Sequence, residues 1–101
     1  MAVDRGTTPV HTFHVSLDLT DAEVIYITYK QGSKTLIEKE KGDLEITAET
    51  LAFKLTQEET LALKSSQSVE VQIRARFPDG TAVDSNIMQS PVGRILKDGV
   101  I

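Results

Sequence analysis

The two histidines are the first side chains to consider for chemistry, because an imidazole can bind a metal or exchange a proton near neutral pH. His11 and His14 are three positions apart, a spacing that brings two side chains together on a helix. The surrounding residues alternate between apolar and polar instead, as in a strand, where an odd offset turns two side chains to opposite faces. We therefore favour solvated histidines at a strand edge over a metal site or a pH sensor.

The acidic residues are poorly spaced for calcium binding or for acid–base catalysis. Asp18, Asp21 and Glu23 form the densest group, but a calcium loop needs oxygen ligands at short alternating spacing and often a glycine for its bend. Glu58 and Glu59 are adjacent, so on a helix they point in different directions and make a poor catalytic pair. Turn formation, capping and the favourable electrostatics of a helix start explain these five residues.

The remaining residue types offer no catalytic centre. Ser65, Ser66 and Ser68 lack the G-x-S-x-G context of a nucleophilic serine, and the glycines form no phosphate-binding loop. The sequence has no cysteine, which excludes disulfides, thiolate metal sites and a cysteine nucleophile. We expect no enzyme activity, no catalytic residue, no cofactor and no metal.

Two arginines are the notable charged feature. Arg74 and Arg76 share one face of a predicted strand, which is either a solvated surface partly paired with Glu70 or a surface that binds a partner. No aromatic residues alternate with them, and the net charge is −4, so we expect no nucleic-acid binding. Arg5 and Thr8 lie in a polar N-terminal segment that is either frayed or docked on a neighbouring subunit. The candidate partner-binding residues are therefore Arg5, Thr8, Arg74 and Arg76.

The stretch from residue 68 to 88 predicts the elements that hold these side chains. Residues 69–77 alternate strictly between apolar and polar, which predicts a strand with one buried face that ends in Phe77. Pro78, Asp79 and Gly80 then predict a three-residue hairpin turn. A return strand follows over 81–88, and its pattern is broken at 84–86.

Shorter elements are predicted on either side of this hairpin. The capping-box pattern from Thr56 to Glu59 predicts a helical turn over 57–64, which Leu61 or Leu63 fixes to the core. The charged strand 34–40 suits a sheet edge. The other expected strands cover 12–17, 24–30 and 50–55, and 44–46 and 94–96 are candidates for further short strands.

This order of elements predicts one all-β domain. A strand, a helical turn, a long strand and a tight hairpin resemble strands E, F and G of an immunoglobulin-like domain, without its Cys–Trp–Cys set or its tyrosine corner. The predicted fold class is an immunoglobulin-like antiparallel β-sandwich of six or seven strands with one short helical turn. Its predicted parts are a flexible N-terminal arm (1–11), the β-sandwich domain (12–96) and a C-terminal tail (97–101).

Three stretches also resemble a known group of proteins. RGTTPVHTF at 5–13 is the distinctive one, and IYITYKQG at 25–32 and KLTQEET at 54–60 extend the likeness over nearly the whole chain. They look like small proteins encoded by prophages of Gram-positive bacteria, and they are similar to the N-terminal sandwich domains of phage baseplate proteins. The resemblance implies a structural role in the tail region of a virion, without catalysis, and supplies no site residues.

The implied partners are other phage structural proteins or a second copy of this chain in a homo-oligomer. The implied location is the virion, or the host cytoplasm during assembly. No apolar run approaches the roughly 20 residues of a membrane span, and residues 1–11 contain no apolar signal region, so we expect neither a membrane partner nor secretion by a signal peptide.

The alternative function is a carbohydrate- or protein-binding sandwich module at the bacterial surface. Sugar-binding platforms use exposed aromatic rings, and the candidates are Tyr26 and Tyr29. Because these tyrosines are three apart on a predicted strand, they point to opposite faces, and at most one of them meets a ligand.

Overall fold

A computed structural model describes residues 2–101. Within this range the chain forms ten strands, one short α-helix and a 3₁₀ turn at Lys41–Asp43. The strands and helix are β1 (Val3–Asp4), β2 (Val10–His14), β3 (Val24–Gln31), β4 (Lys34–Glu40), β5 (Glu45–Ile46), β6 (Thr50–Lys54), α1 (Gln57–Leu61), β7 (Val69–Arg76), β8 (Ala82–Asp84), β9 (Met88–Ser90) and β10 (Val92–Gly93).

Two antiparallel sheets enclose one core, and β1 and β10 form a third, two-stranded parallel sheet. The larger sheet has the order β4-β3-β7-β8, and β9 also pairs with β7; the smaller sheet has the order β2-β6-β5. These are the neighbours C′-C-F-G and B-E-D of an immunoglobulin-like sandwich, and α1 lies between E and F. The predicted fold class is confirmed by this strand order. The strand count exceeds the predicted six or seven because the N-terminal segment adds β1, the return strand is split into β8 and β9, and both short candidate strands form, as β5 and β10.

β7 anchors the core as its alternation predicts. Val69, Val71, Ile73 and Ala75 are all buried, whereas the side chains between them are exposed or half-buried. β7 pairs with β3 over residues 70–76 on one side and with β8 and β9 on the other. Each buried Val or Ile of this kind contributes about 1.5–3 kcal/mol to the hydrophobic stabilisation.

The predicted hairpin turn after β7 is also confirmed. Phe77, half-buried just beyond the strand, donates its N–H to Thr81 O at 2.8 Å, which leaves three residues in the loop. Gly80 has φ +90°, a backbone conformation that residues other than glycine rarely adopt. Asp79 accepts the Thr81 N–H at 2.9 Å, and this bond lowers the pKa of its carboxyl.

The first long strand of the smaller sheet starts earlier than predicted. β2 spans Val10–His14 and not 12–17, because Pro9 O continues the pairing with β6 by accepting the N–H of Leu55 at 2.9 Å. Phe13 points inward as predicted, but Leu17 lies beyond the strand and is 48% exposed. The strand therefore lies two residues nearer the N-terminus, and its end is open to solvent.

The N-terminal segment is part of the sandwich and not an arm separate from it. Val3 is fully buried, and β1 runs parallel to β10. Val3 N–H donates to Pro91 O at 3.0 Å, and Arg5 N–H donates to Gly93 O at 3.1 Å. The burial of Val3 offsets the entropy of ordering this segment, so the sandwich begins at residue 3 instead of residue 12. Met1 lies outside the described residues.

The helix is shorter than predicted, and the last strand lies nearer the N-terminus than predicted. The capping box is present, with Thr56 Oγ1 accepting the Glu59 N–H at 3.1 Å and Glu59 Oε1 accepting the Thr56 N–H at 2.9 Å. α1 ends at Leu61 rather than at residue 64, and Leu63 is the residue that enters the core. The last strand is Val92–Gly93 and not 94–96, because β1 offers a partner there.

Candidate functional site

The two predicted arginines of β7 lie together on the outer face of the larger sheet. Arg74 and Arg76 are both exposed, and Tyr26 of β3 is the register partner of Arg74. Tyr26 is 38% exposed and Tyr29 is fully buried, so the two tyrosines point to opposite faces as predicted. A shallow depression of about 350 Å³ on this face is lined by Val24, Tyr26, Glu38, Arg74, Ala75, Arg76 and Ala82.

The charges of this arginine face are only weakly paired. Arg76 contacts Glu23 at 3.3 Å, but both side chains are 55% exposed, and such exposed pairs contribute little to stability. Within residues 2–101 Arg74 has no ion pair. The predicted pairing with Glu70 is wrong, because Glu70 lies opposite Lys30 near the other end of β7.

Arg5, one of the predicted partner-binding residues, holds the N-terminal segment onto the helix. Its Nε–H donates to Leu63 O at 2.9 Å and its Nη2 to Leu61 O at 3.1 Å. These carbonyls lie at the C-terminal end of α1, where the helix leaves backbone oxygens without internal donors. Thr8 is exposed. Neither residue lines the depression at Arg74, so the four candidates do not form one site.

A larger concave surface, which we call the lateral groove, opens between the two sheets along one side of the sandwich. Its volume is about 580 Å³. Buried Phe13, Ile73 and Ala75 contribute to an apolar lining, and Ser85 and Asn86 place polar groups at one rim. The full lining is Phe13, His14, Val15, Ser16, Leu17, Leu19, Ile73, Ala75, Val83, Asp84, Ser85, Asn86 and Met88.

One border of the lateral groove is the C-terminal end of β2, at Phe13 and His14, and the outer edge of this strand is unpaired. Within the described residues β2 pairs only with β6. Pro9 O accepts from Leu55 N–H at 2.9 Å and Val15 N–H donates to Glu49 O at 2.8 Å, so the odd-numbered residues hydrogen-bond to β6. In an antiparallel ladder the residues between them direct their N–H and C=O groups to the opposite side. The outward residues are Val10, Thr12 and His14.

The other border is the edge formed by β8 and β9. Both strands pair with β7 on their inner side. The contact of β1 with this part of the chain starts only at Pro91, whose carbonyl accepts the N–H of Val3. Ser85 breaks the strand: its N–H donates to Ile73 O at 2.9 Å, and its Oγ accepts the Ile73 N–H at 3.0 Å. Ala82 and Asp84 therefore direct their backbone groups outward. The predicted interruption of the return strand is confirmed one residue later than expected, at 85–87 and not at 84–86, and it makes this edge irregular.

His11 is buried in the core, so the prediction of a solvated histidine is wrong for it and right for exposed His14. The earlier start of β2 turns His11 inward, and its Nδ1 lies 2.5 Å from the hydroxyl of Tyr29. Its Nε2 is buried without a hydrogen-bond partner in the described residues. Burial lowers the pKa of His11 and raises the pKa of Tyr29, which favours the neutral pair.

The acidic residues act in turns. Asp18 accepts the backbone N–H of Thr20 at 2.9 Å and its hydroxyl at 2.7 Å, which lowers the pKa of Asp18. Among residues 2–101 no three His, Cys, Asp or Glu side chains are grouped so that they could hold a metal ion. Over the same range, none of the helices has the length and apolar character to cross a membrane.

The lateral groove was missed by sequence reasoning. Its lining comes from three separate parts of the chain, and an unpaired edge leaves no mark on the residues that form it. The available signal was an apolar residue next to a turn: Leu17 lines the groove and is 48% exposed.

Comparison with known proteins adds one distant likeness. No protein-family model and no curated protein matches the chain. Among solved structures, the V domain of amphioxus IgVJ-C2 is similar at 13% identity and a TM-score of 0.39, over 92% of this chain and 99% of that domain. The fold assignment rests on the strand order described above and not on this likeness.

Proposed function

We propose that this chain is a non-enzymatic structural or assembly protein of a phage or prophage particle and acts through protein–protein contacts. The observation that supports this most is the lateral groove, an apolar concavity bordered by two strand edges whose backbone groups are free to bind. Concave apolar surfaces next to free strand edges suit the addition of an extended segment from another protein.

Such an added strand would be stabilised in two ways. Main-chain hydrogen bonds to Val10, Thr12 and His14 would fix its register, and alternate apolar side chains would enter the groove. Each apolar side chain that becomes fully buried would contribute about 1.5–3 kcal/mol. The particle context is supported by the sequence resemblance of 5–13, 25–32 and 54–60 to prophage-encoded proteins.

Particle assembly in a host that carries the gene tests this function. We expect this chain to be present in purified particles, and Leu17→Asp in the groove lining to reduce its incorporation at least about tenfold, since a buried carboxylate is costly. Leu96→Asp is the matched control, because Leu96 is 93% exposed and does not line the groove. Absence of the wild-type chain from particles would rule the proposal out.

A second candidate, a binding module for carbohydrate or protein at the bacterial surface, is favoured by the arginine face. There an exposed Tyr26 ring lies beside Arg74 and Glu38, a combination of stacking and polar groups that can bind a sugar. Binding on a glycan array that Tyr26→Ala abolishes and Arg94→Ala leaves unchanged would support this candidate. Equal binding by both variants would dismiss it.

A further inference from the structure

We propose that the free edge of β2 pairs with the β2 edge of a second copy, antiparallel about Thr12, to form a two-fold dimer with one continuous sheet across both smaller sheets. This rests on the proposed function, since it names one partner of the lateral groove. The interaction is strand addition between identical edges.

The first support is that the β2 edge has none of the usual protection against pairing. Exposed edges are normally guarded by charge, proline, bulges or short length. β2 has five residues, Val-His-Thr-Phe-His, without an acidic residue, lysine, arginine or proline. The β4 edge, in contrast, carries Lys34, Glu38, Lys39 and Glu40, and a register shift interrupts its ladder. β5 is only two residues long.

The second support is that the β2 edge is complementary to itself. Pairing about Thr12 sets Thr12 opposite Thr12 of the second copy, and Val10 opposite His14 of the second copy. All of these residues direct their backbone groups outward, so about six inter-strand hydrogen bonds form. Threonine pairs are favourable across strands, and no like charges meet. Pairing about His11 or Phe13 would match only two outward residues of each β2 strand and form about four of these hydrogen bonds, so the register about Thr12 forms the most.

The third support is the area next to the edge. A stable interface buries about 800 Å² on each partner, which exceeds what one five-residue strand pair can cover. A two-fold axis perpendicular to the smaller sheet keeps both larger sheets on the same side, so the two lateral grooves face each other. Leu17, which lines the groove and is 48% exposed, would be covered.

Cross-linking through position 12 tests the register directly. The chain has no cysteine, so Thr12→Cys introduces the single thiol. Residues in a hydrogen-bonded antiparallel pair have Cα atoms about 5.5 Å apart, within the range of a disulfide. We expect mild oxidation to give a covalent dimer with T12C. V10C and H14C should cross-link when mixed and much less when oxidised separately. Cross-linking of H14C alone at the efficiency of T12C would overturn the proposed pairing.

Sedimentation supplies the second test. We expect the wild-type chain to associate to a dimer, and Thr12→Pro to weaken the dimer at least about tenfold, because proline removes an outward N–H that no bond to β6 uses. Thr12→Val keeps that N–H and should retain the dimer. A circular-dichroism spectrum checks that T12P is folded. A wild-type chain that stays monomeric into the millimolar range, or a dimer unaffected by T12P, would refute the inference. The proposed function would survive either result if L17D still lowers incorporation into particles.

Discussion

The hydroxyl of Tyr29 lies 2.5 Å from Nδ1 of His11, with the two rings stacked 5.9 Å apart between their centroids. Phe53 packs edge-on against both rings. A hydrogen-bonded polar pair therefore lies among the buried aromatic rings of the core. Since a buried imidazole is disfavoured in its charged form, this pair makes the stability of the fold sensitive to acid.

We expect the melting temperature to fall as the pH is lowered below 6.5. Burial lowers the pKa of His11 from its ordinary 6.5, so over the range just below that pH the unfolded chain binds a proton that the folded chain does not. Stability decreases with falling pH wherever the unfolded state binds more protons. His11→Gln should reduce the slope of melting temperature against pH across this range. The exposed His14→Gln variant should keep the wild-type slope. An equal slope in H11Q and wild type would contradict this account.

Tyr29→Phe should destabilise the fold by about 1–3 kcal/mol, because it leaves both nitrogens of buried His11 without partners. Urea unfolding at neutral pH measures the difference. Tyr26→Phe is the matched control and should change stability by less than about 0.5 kcal/mol, since Tyr26 lies on the exposed face. A neutral Y29F variant would show that the hydrogen bond contributes nothing net.

Arg5→Ala should lower the free energy of unfolding by about 2 kcal/mol, because two charge-assisted hydrogen bonds to Leu61 O and Leu63 O are lost. Arg5→Lys should recover only part of this loss, since an ammonium cannot reproduce the geometry of the guanidinium. Arg94→Ala, at an exposed position, controls for loss of positive charge. Wild-type stability in R5A would contradict this account, and weakened partner binding in the same variant would support the sequence-based prediction for Arg5.

Thr56→Ala should cost about 1 kcal/mol by removing the capping hydrogen bond to the Glu59 N–H. The helix is only five residues long, so loss of its cap should also raise amide exchange in α1. Thr8→Ala serves as the control, because Thr8 is exposed. Unchanged exchange rates in T56A would mean that tertiary contacts alone hold the helix.

The elements with strong local signals could be predicted from the sequence. The alternation from Val69 to Phe77 predicts β7, the Pro-Asp-Gly sequence predicts its hairpin, and Thr56 with Glu59 predicts the start of α1. Each of these depends on neighbours within a few residues, where propensity and hydrogen bonding decide the structure.

The features that sequence reasoning missed depend on distant partners. Val3 is buried only because β10 lies beside it, and the inward position of His11 depends on where the pairing of β2 with β6 starts. A polar residue at an inward strand position also runs against the hydrophobic pattern that sequence reasoning uses. The lateral groove exists because strand edges from separate parts of the chain do not pair with each other. No local sequence pattern predicts that lack of pairing.

The parallel pairing of β1 with β10 has a mechanical consequence. Tension applied at the N-terminal end of β1 and the C-terminal end of β10 would pull these two parallel strands past each other in shear. Their hydrogen bonds would then bear the load together and would not break one after another. We expect force spectroscopy to show this short clamp as the first resisting element, and its rupture to release Val3 from the core.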